Sequence, residues 1–217
     1  MKKVAVILSG SGVFDGTEIY EAVITLLAIR QQGAQYQCFA PDKDQLHVIN
    51  HLTGDVETGQ TRNVLIESAR VARGEVKPVT ECNPTDFDAL ILPGGFGAAK
   101  NLCTFAVDGA DSQPDADVLA VCKAFAEAGK PAGYACIAPA LAASVYGNDT
   151  KVTIGNDEGA AEGINAIGAQ HINCAVDDIV VDAAARLVTT PAYMLAGDIL
   201  EAQAGLNKMV EAVLGME

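Results

Sequence analysis

Three short runs, VAVIL at 4–8, YQCFA at 36–40 and ALILP at 89–93, are apolar at nearly every position. A strand with no polar face needs cover on both sides. Parallel sheets provide it, because the crossovers joining parallel strands lay helices over both faces. The stretches between the runs have helical spacing. In residues 17–32, Ile19, Val23, Leu26, Leu27 and Arg30 fall on one face, and Gly33 supplies the left-handed residue that ends such a helix. Residues 62–72 read as a second helix with Gly74 behind it, and 115–128 as a third that Gly129 stops. The strand PAGYA (131–135) follows, then a helix from Pro139, strand-like KVTI (151–154), the pair DIVVD and ARLVTT, and a terminal helix over about 194–214. This alternation predicts an α/β fold, a mostly parallel, flavodoxin-like sheet flanked by helices with right-handed crossovers. DIVVD and ARLVTT, separated only by Ala183 and Ala184, read as a hairpin that adds an antiparallel edge. With no repeat or linker, residues 1–217 are read as a single domain whose longest excursions are 41–61 and the acidic stretch 106–117.

Fourteen basic against twenty-eight acidic residues give a net charge of −14, which repels polyanions, and no Lys/Arg cluster offers a locally basic face. Nucleic acid is therefore not an expected partner. The opening MKKVAVILSG has an apolar run of about six residues, shorter than a secretory signal requires, and no run of about 18 apolar residues is available to span a bilayer. The expectation is a cytoplasmic protein without a membrane partner. Cysteines 38, 82, 103, 122, 136 and 174 show no C-x-x-C spacing, and four lie in apolar stretches, so they read as buried free thiols.

One cysteine stands apart. In PAGYACIAPALAAS, Cys136 occupies the turn between a strand and a helix, at the carboxyl end where open α/β sheets bind ligands. A side chain on so sharp a turn projects into the cleft, and a helix N-terminus beside it lowers a thiol's pKa. A second turn, Pro93-Gly94-Gly95 after the strand ALIL, has the glycines with which backbone N–H groups can be aimed at an oxyanion. The third strand end, SGSGVFDGTEIYEAV (9–23), opens like a dinucleotide fingerprint but has Asp15 where the third glycine belongs. It reads better as a capping box, with Asp15 as N-cap and Glu18 reaching back to it. Glu18 and Glu21 share a helix face, so either can point into the cleft and move a proton beside the thiol. His47 and His51, four apart, lack a third ligand and the glutamate of H-E-x-x-H, so no metal site is expected. Thr189, Thr190, Pro191 and Tyr193 read as a structural turn after a strand.

These pieces together resemble the ThiJ/PfpI superfamily, which has a class I glutamine amidotransferase-like fold, and within it the ElbB branch, described as glyoxalases and as enhancing lycopene biosynthesis. The resemblance is carried by VILSGSGVFDGTEIYEAV, CFAPDKDQLHVINHLTG, LPGGFGAAKNL, ACIAPA and DDIVVD…LVTTPAYML, from residue 6 to about 195. It implies that Cys136 is the elbow nucleophile and that Gly94 and Gly95 form the Gly-Gly loop. Counting back from Gly33, it makes Glu21 the glutamate that bonds the cysteine, with Glu18 second. The oxyanion amides it implies are those of Gly95 and Ile137. Relatives that hydrolyse amides carry a histidine after the cysteine or farther on, whereas Ile137 stands here and none of His47, His51 and His171 falls at a family position. An amine leaving group needs a proton donor, so amide hydrolysis is not expected.

An aldehyde is an easier electrophile. The resemblance implies a glyoxalase activity, glyoxal or methylglyoxal to the hydroxy acid, through a Cys136 hemithioacetal and without glutathione, metal or other cofactor. The alternative it leaves open is a redox-sensing or chaperone-like protein linked to isoprenoid biosynthesis, whose low-pKa cysteine is oxidised to a sulfinic acid. A small aldehyde is the expected ligand and a homodimer the expected assembly.

Overall fold

The computed structural model describes residues 1–216. Its strands are β1 Lys3–Ile7, β2 Gln35–Ala40, β3 Val76–Pro78, β4 Ala89–Leu92, β5 Ala132–Ala135, β6 Lys151–Val152, β7 Gln170–His171, β8 Val180–Asp182 and β9 Leu187–Thr190. Its helices are α1 Ile19–Gln31, α2 Val64–Val71, α3 Phe96–Lys100, α4 Phe105–Asp108, α5 Ala116–Glu127, α6 Ala142–Tyr146, α7 Glu158–Ala166 and α8 Ile199–Gly215. Seven strands form one sheet in the order β3-β2-β1-β4-β5-β9-β8. Six of them run parallel, and β8 pairs antiparallel to β9 at the edge, as the hairpin reading required. From β1 the chain builds outward to β2 and β3, then returns to place β4 on the other side of β1. That reversal opens a crevice at the carboxyl ends of β1 and β4, where doubly wound sheets hold ligands.

Alternate residues of each strand serve two cores. Ile7, Leu90, Leu92, Tyr134 and Leu187 pack under α5 and α6, where Val118, Cys122, Phe125 and Leu141 are buried. Val6, Leu8, Ile91, Ala135 and Val188 pack under α1 and α8, with Ile29, Leu206, Met209 and Val213. Covering both faces explains why β1 and β4 read as unbroken apolar runs. β2 does so only over Cys38–Ala40: β3 pairs with just those three residues, and Tyr36, beyond its reach, is 39% exposed.

Several local expectations are corrected. The face of α1 is the largest correction: Ile19, Val23 and Leu27 are exposed, while Glu21, Ala22, Ile24, Thr25, Leu26, Ala28 and Ile29 are buried. The helix is apolar nearly all round, so periodicity left its rotation open, and packing against the sheet and α8 fixed it. The N-cap is Glu18, whose Oε2 accepts from the Glu21 N–H at 2.6 Å. Asp15 instead bonds the Ile49 N–H across to the 41–61 excursion. The segment after Cys136 begins as a 3₁₀ turn, Ala138–Leu141, before α6. KVTI contributes only Lys151–Val152, paired with β7 in a separate two-stranded sheet. The last helix starts at Ile199 behind the Asp198 cap, leaving Ala192–Met194 as a 3₁₀ turn over the cleft. Among the described residues no helix is long and apolar enough to cross a membrane.

Candidate active site

Cys136 follows β5 with φ +58°, in the left-handed region that a non-glycine residue occupies only where its surroundings demand it. Its N–H donates to the Thr190 carbonyl at the end of β9, 3.0 Å away, which extends the ladder by one bond before the chain turns. The side chain, 6% exposed, faces a cavity of about 150 Å³ lined also by Val13, Glu18, Gly95, Phe96, Ile137, Tyr193 and Met194. The corner thus turns the sulfur toward the cavity at the carboxyl end of β5.

Glu21, in the first turn of α1, is fully buried, and its carboxyl and the Cys136 sulfur both crowd against Gly94. Two backbone amides hold its carboxyl: Gly94 N–H donates to Oε2 at 2.8 Å and Tyr193 N–H to Oε1 at 3.1 Å. Between the two glutamates that the sequence left open, the structure puts Glu21 on the sulfur and Glu18 at the helix cap and cavity wall. Gly94 is the point of closest approach. A Cβ there would overlap the Cys136 Cβ and lie 2.8 Å from Glu21 Oε2 and 2.9 Å from the sulfur. Gly95, at φ +95°, packs so tightly on residues 16–18 that a side chain would strike the Glu18 amide and the Gly16 carbonyl.

The loop amides divide into two groups. The Gly94 N–H is taken by Glu21, so Gly94 anchors the carboxyl and is not an oxyanion donor. The amides of Gly95 and Ile137 are directed at the Cys136 sulfur and favour negative charge there. They are the pair assigned to the oxyanion on resemblance. The fingerprint-like loop closes on itself through Gly12 N–H to the Thr17 carbonyl and Gly16 N–H to the Gly12 carbonyl. Those amides are not free to cradle a phosphate.

The electrostatics overturn one expectation. A helix N-terminus was to lower the Cys136 pKa, but burial pushes the thiol well above its usual value and the neighbouring Glu21 carboxylate pushes the same way. The amides of Gly95 and Ile137 oppose this without reversing it, and the elbow leads into a four-residue 3₁₀ turn in place of an α-helical N-terminus. Burial, with a smaller repulsion from Glu18, also raises Glu21 to about 7, against the amides of Tyr193 and Gly94 that favour its carboxylate. Thiol and carboxyl thus form a coupled pair that sheds its first proton, from Glu21, near neutral pH and keeps the thiol proton beyond it. Cys38, Cys82 and Cys122 are pushed up to about 12 chiefly by burial and are packing groups.

The histidines lie elsewhere. His51 Nε2 accepts from the Phe14 N–H at 3.2 Å, which leaves its Nδ1–H for the Ile49 carbonyl. His171 accepts from the Ile154 N–H, and neither it nor His47 lines the cavity. Sequence reasoning undervalued Tyr193 by placing it in a structural turn. Its ring walls the cavity and its amide holds Glu21, and an amide leaves no mark in a residue pattern. A larger groove of about 480 Å³ beside Glu127, Tyr146 and Asp182 shares no lining residue with this site.

No family model matches the chain. The chain is 46% identical to the human protein named glutamine amidotransferase-like class 1 domain-containing protein 3, mitochondrial, over 98% of its own length and 82% of that protein's. It is 44% identical to the rat ES1 protein homolog, mitochondrial, with 98% and 83% covered. A solved structure from Ehrlichia chaffeensis, an isoprenoid biosynthesis protein with amidotransferase-like domain, superposes with a TM-score of 0.90 at 33% identity over 98% of both chains. Drosophila melanogaster DJ-1beta, at 16% identity and a TM-score of 0.57 over 99% of this chain and 91% of that one, shares the fold. The chain belongs to the ES1 family of glutamine amidotransferase-like class 1 domain proteins.

Proposed function

We propose that the protein is a glyoxalase-type lyase of the ElbB branch, converting glyoxal or methylglyoxal to the hydroxy acid with Cys136 as nucleophile and Glu21 as proton shuttle. The observation that carries this reading is the Cys136–Glu21 pair, buried together at the floor of a small cavity with no histidine lining it. As the sulfur adds to the aldehyde carbon, the thiol proton passes to Glu21 and the new alkoxide is held by the Gly95 and Ile137 amides. Glu21 passes that proton to the neighbouring carbonyl oxygen and, as the carboxylate, moves a proton from the carbon bearing sulfur to the neighbouring carbon. The first carbon is oxidised to a thioester as the second is reduced to an alcohol, so no external oxidant enters. Water hydrolyses the thioester, releasing hydroxy acid and restoring the thiol. The scheme uses neither glutathione nor metal, and a carboxyl with a pKa of about 7 suits it because it both gives and takes a proton near neutrality.

The test is glycolate formation from glyoxal, without glutathione or added metal, by the parent protein and by Cys136→Ser. Turnover in the parent that falls by about 10³-fold or more in the variant supports the scheme. Equal or absent turnover in both overturns it.

A second reading draws on the same amides. Those of Gly95 and Ile137, directed at the sulfur, would hold a sulfinate as readily as an alkoxide. In that case the protein is a redox-responsive partner, with a link to isoprenoid biosynthesis of the kind the Ehrlichia protein's name states. Peroxide titration followed by intact mass distinguishes it, since a sensor gains two oxygens at Cys136 and shows no aldehyde turnover. A homodimer in the cytoplasm is the proposed state for either reading, checked by light scattering and cell fractionation.

A further inference from the structure

The cavity over Cys136 is larger and less polar than glyoxal requires. Its volume is about 150 Å³, and an apolar protein cavity of about that size holds a benzene ring. Val13, Phe96, Ile137 and Met194 are half of its eight lining residues, Tyr193 adds a ring, and Glu18 is the charged side chain beside the Cys136–Glu21 pair. Its lining includes no Lys, Arg or His.

The mouth continues this character. Phe96 and Tyr193 both line the cavity, and each is extended outward by a further ring: Phe14 with its centroid 6.5 Å from Phe96, and Tyr20 with its centroid 6.3 Å from Tyr193. Phe96 is 47% exposed and Tyr20 54%, so apolar surface meets water at the rim of the site. Lys100, a cation beside the rim, is engaged: its ammonium donates to the Phe14 carbonyl at 2.9 Å and lies 5.2 Å from the Phe96 ring centre. It braces the two phenylalanines and does not line the cavity.

We propose that the site selects neutral 2-oxoaldehydes with an aryl or comparable apolar tail, the dicarbonyl head at Cys136 and the tail between the Phe96 and Tyr193 rings. This rests on the aldehyde reading above and adds a substrate class to it. A ring in the cavity covers wall surface that glyoxal leaves bare. An anionic tail, by contrast, enters a space walled by apolar groups and the Glu18 carboxyl, in a protein of net charge −14.

The experiment compares kcat/KM for glyoxal, phenylglyoxal and 4-carboxyphenylglyoxal, each divided by its rate of addition to a free small thiol to remove intrinsic reactivity. The expected order places phenylglyoxal above both others by about tenfold or more, with the preference lost in Phe96→Ala and Tyr193→Ala. Phe96 is half-exposed, so its truncation empties no core. Equal values for the neutral and carboxylated aryl compounds, or a preference unchanged in both wall variants, overturn the proposal. A second readout is independent of aldehyde chemistry: alkylation of Cys136 by phenacyl bromide and by its 4-carboxy analogue, followed by intact mass with Cys136→Ser as blank. Wall-dependent preference for phenacyl bromide with no aldehyde turnover removes the glyoxalase reading and keeps the tail site. Glyoxal turnover with flat alkylation and flat kcat/KM does the reverse.

Discussion

β5 and β9 are neighbouring parallel strands, and each leads into a non-glycine residue with positive φ: Cys136 at +58° and Ala192 at +44°. At the first corner the strained residue is itself the reactive group, and the turn exposes its sulfur to the cavity. At the second the strained residue is a fully buried methyl, and the turn delivers the next amide, Tyr193 N–H, to Glu21 Oε1. The same backbone device presents a side chain in one place and a main-chain donor in the other. Both act on one Cys–Glu pair. Strain of this kind persists only where the surroundings over-determine it, and here it marks the two sides of one site.

The comparison can be pressed hardest at the carboxyl that both corners serve. Glu21→Gln keeps the shape but accepts from only one of the Gly94 and Tyr193 amides, its NH2 facing the other, and it cannot carry the proton. Its kcat for glyoxal is expected to fall by about 10²–10⁴-fold. The parent's rise in activity through a pKa of about 7 is expected to vanish with it. An unchanged pH profile in the variant would assign the proton transfer to another group.

The next effect is on stability. Glu21 titrates near 4.5 when unfolded and at about 7 when folded. Between those values the unfolded chain has released a proton that the folded protein retains, so the contribution of Glu21 to stability is most favourable below pH 4.5 and declines as pH rises toward 7. The span corresponds to about 3 kcal/mol. Denaturant melts of the parent and of Glu21→Gln at pH 5 and pH 7.5 measure it, and the difference between the two proteins isolates this residue from the other carboxyls.

Gly94→Ala tests the closeness of approach. Its new methyl meets the Cys136 Cβ and Glu21 Oε2 in a region that can move little, with an expected loss of about 1–3 kcal/mol and of turnover. Ala192→Gly gives the smallest effect. Relief of left-handed strain is offset by the greater freedom of glycine in the unfolded chain, so thermal stability changes by less than about 1 kcal/mol. A larger loss would show that the second corner supplies the buried methyl and not the backbone turn.

How much of this was legible differs from residue to residue. VAVIL and ALIL announced central strands because both faces of each are covered, and Cys136 announced an elbow because a strand ran into a run of small residues with proline. The choice between Glu18 and Glu21 was not settled by spacing, since both share a helix face. It was decided by the rotation of α1, which an all-round apolar helix does not encode locally. The Tyr193 amide was hidden entirely. The Cys136 pKa is misread from sequence because the adjoining turn is local, whereas the burial and the carboxylate that outweigh it are not.

The sequence by itself determined the alternation of strands and helices, the free cysteines, the place of the elbow and the two candidate glutamates, all of which rest on short-range pattern. Only the tertiary structure decided which face of α1 is buried, which glutamate meets the sulfur, how the proton is shared between them, and that the cavity above is apolar and flanked by rings. Those are properties of groups distant in the chain: Glu21, Gly94, Cys136 and Tyr193 come from four separate segments, and their energies depend on the burial that folding creates.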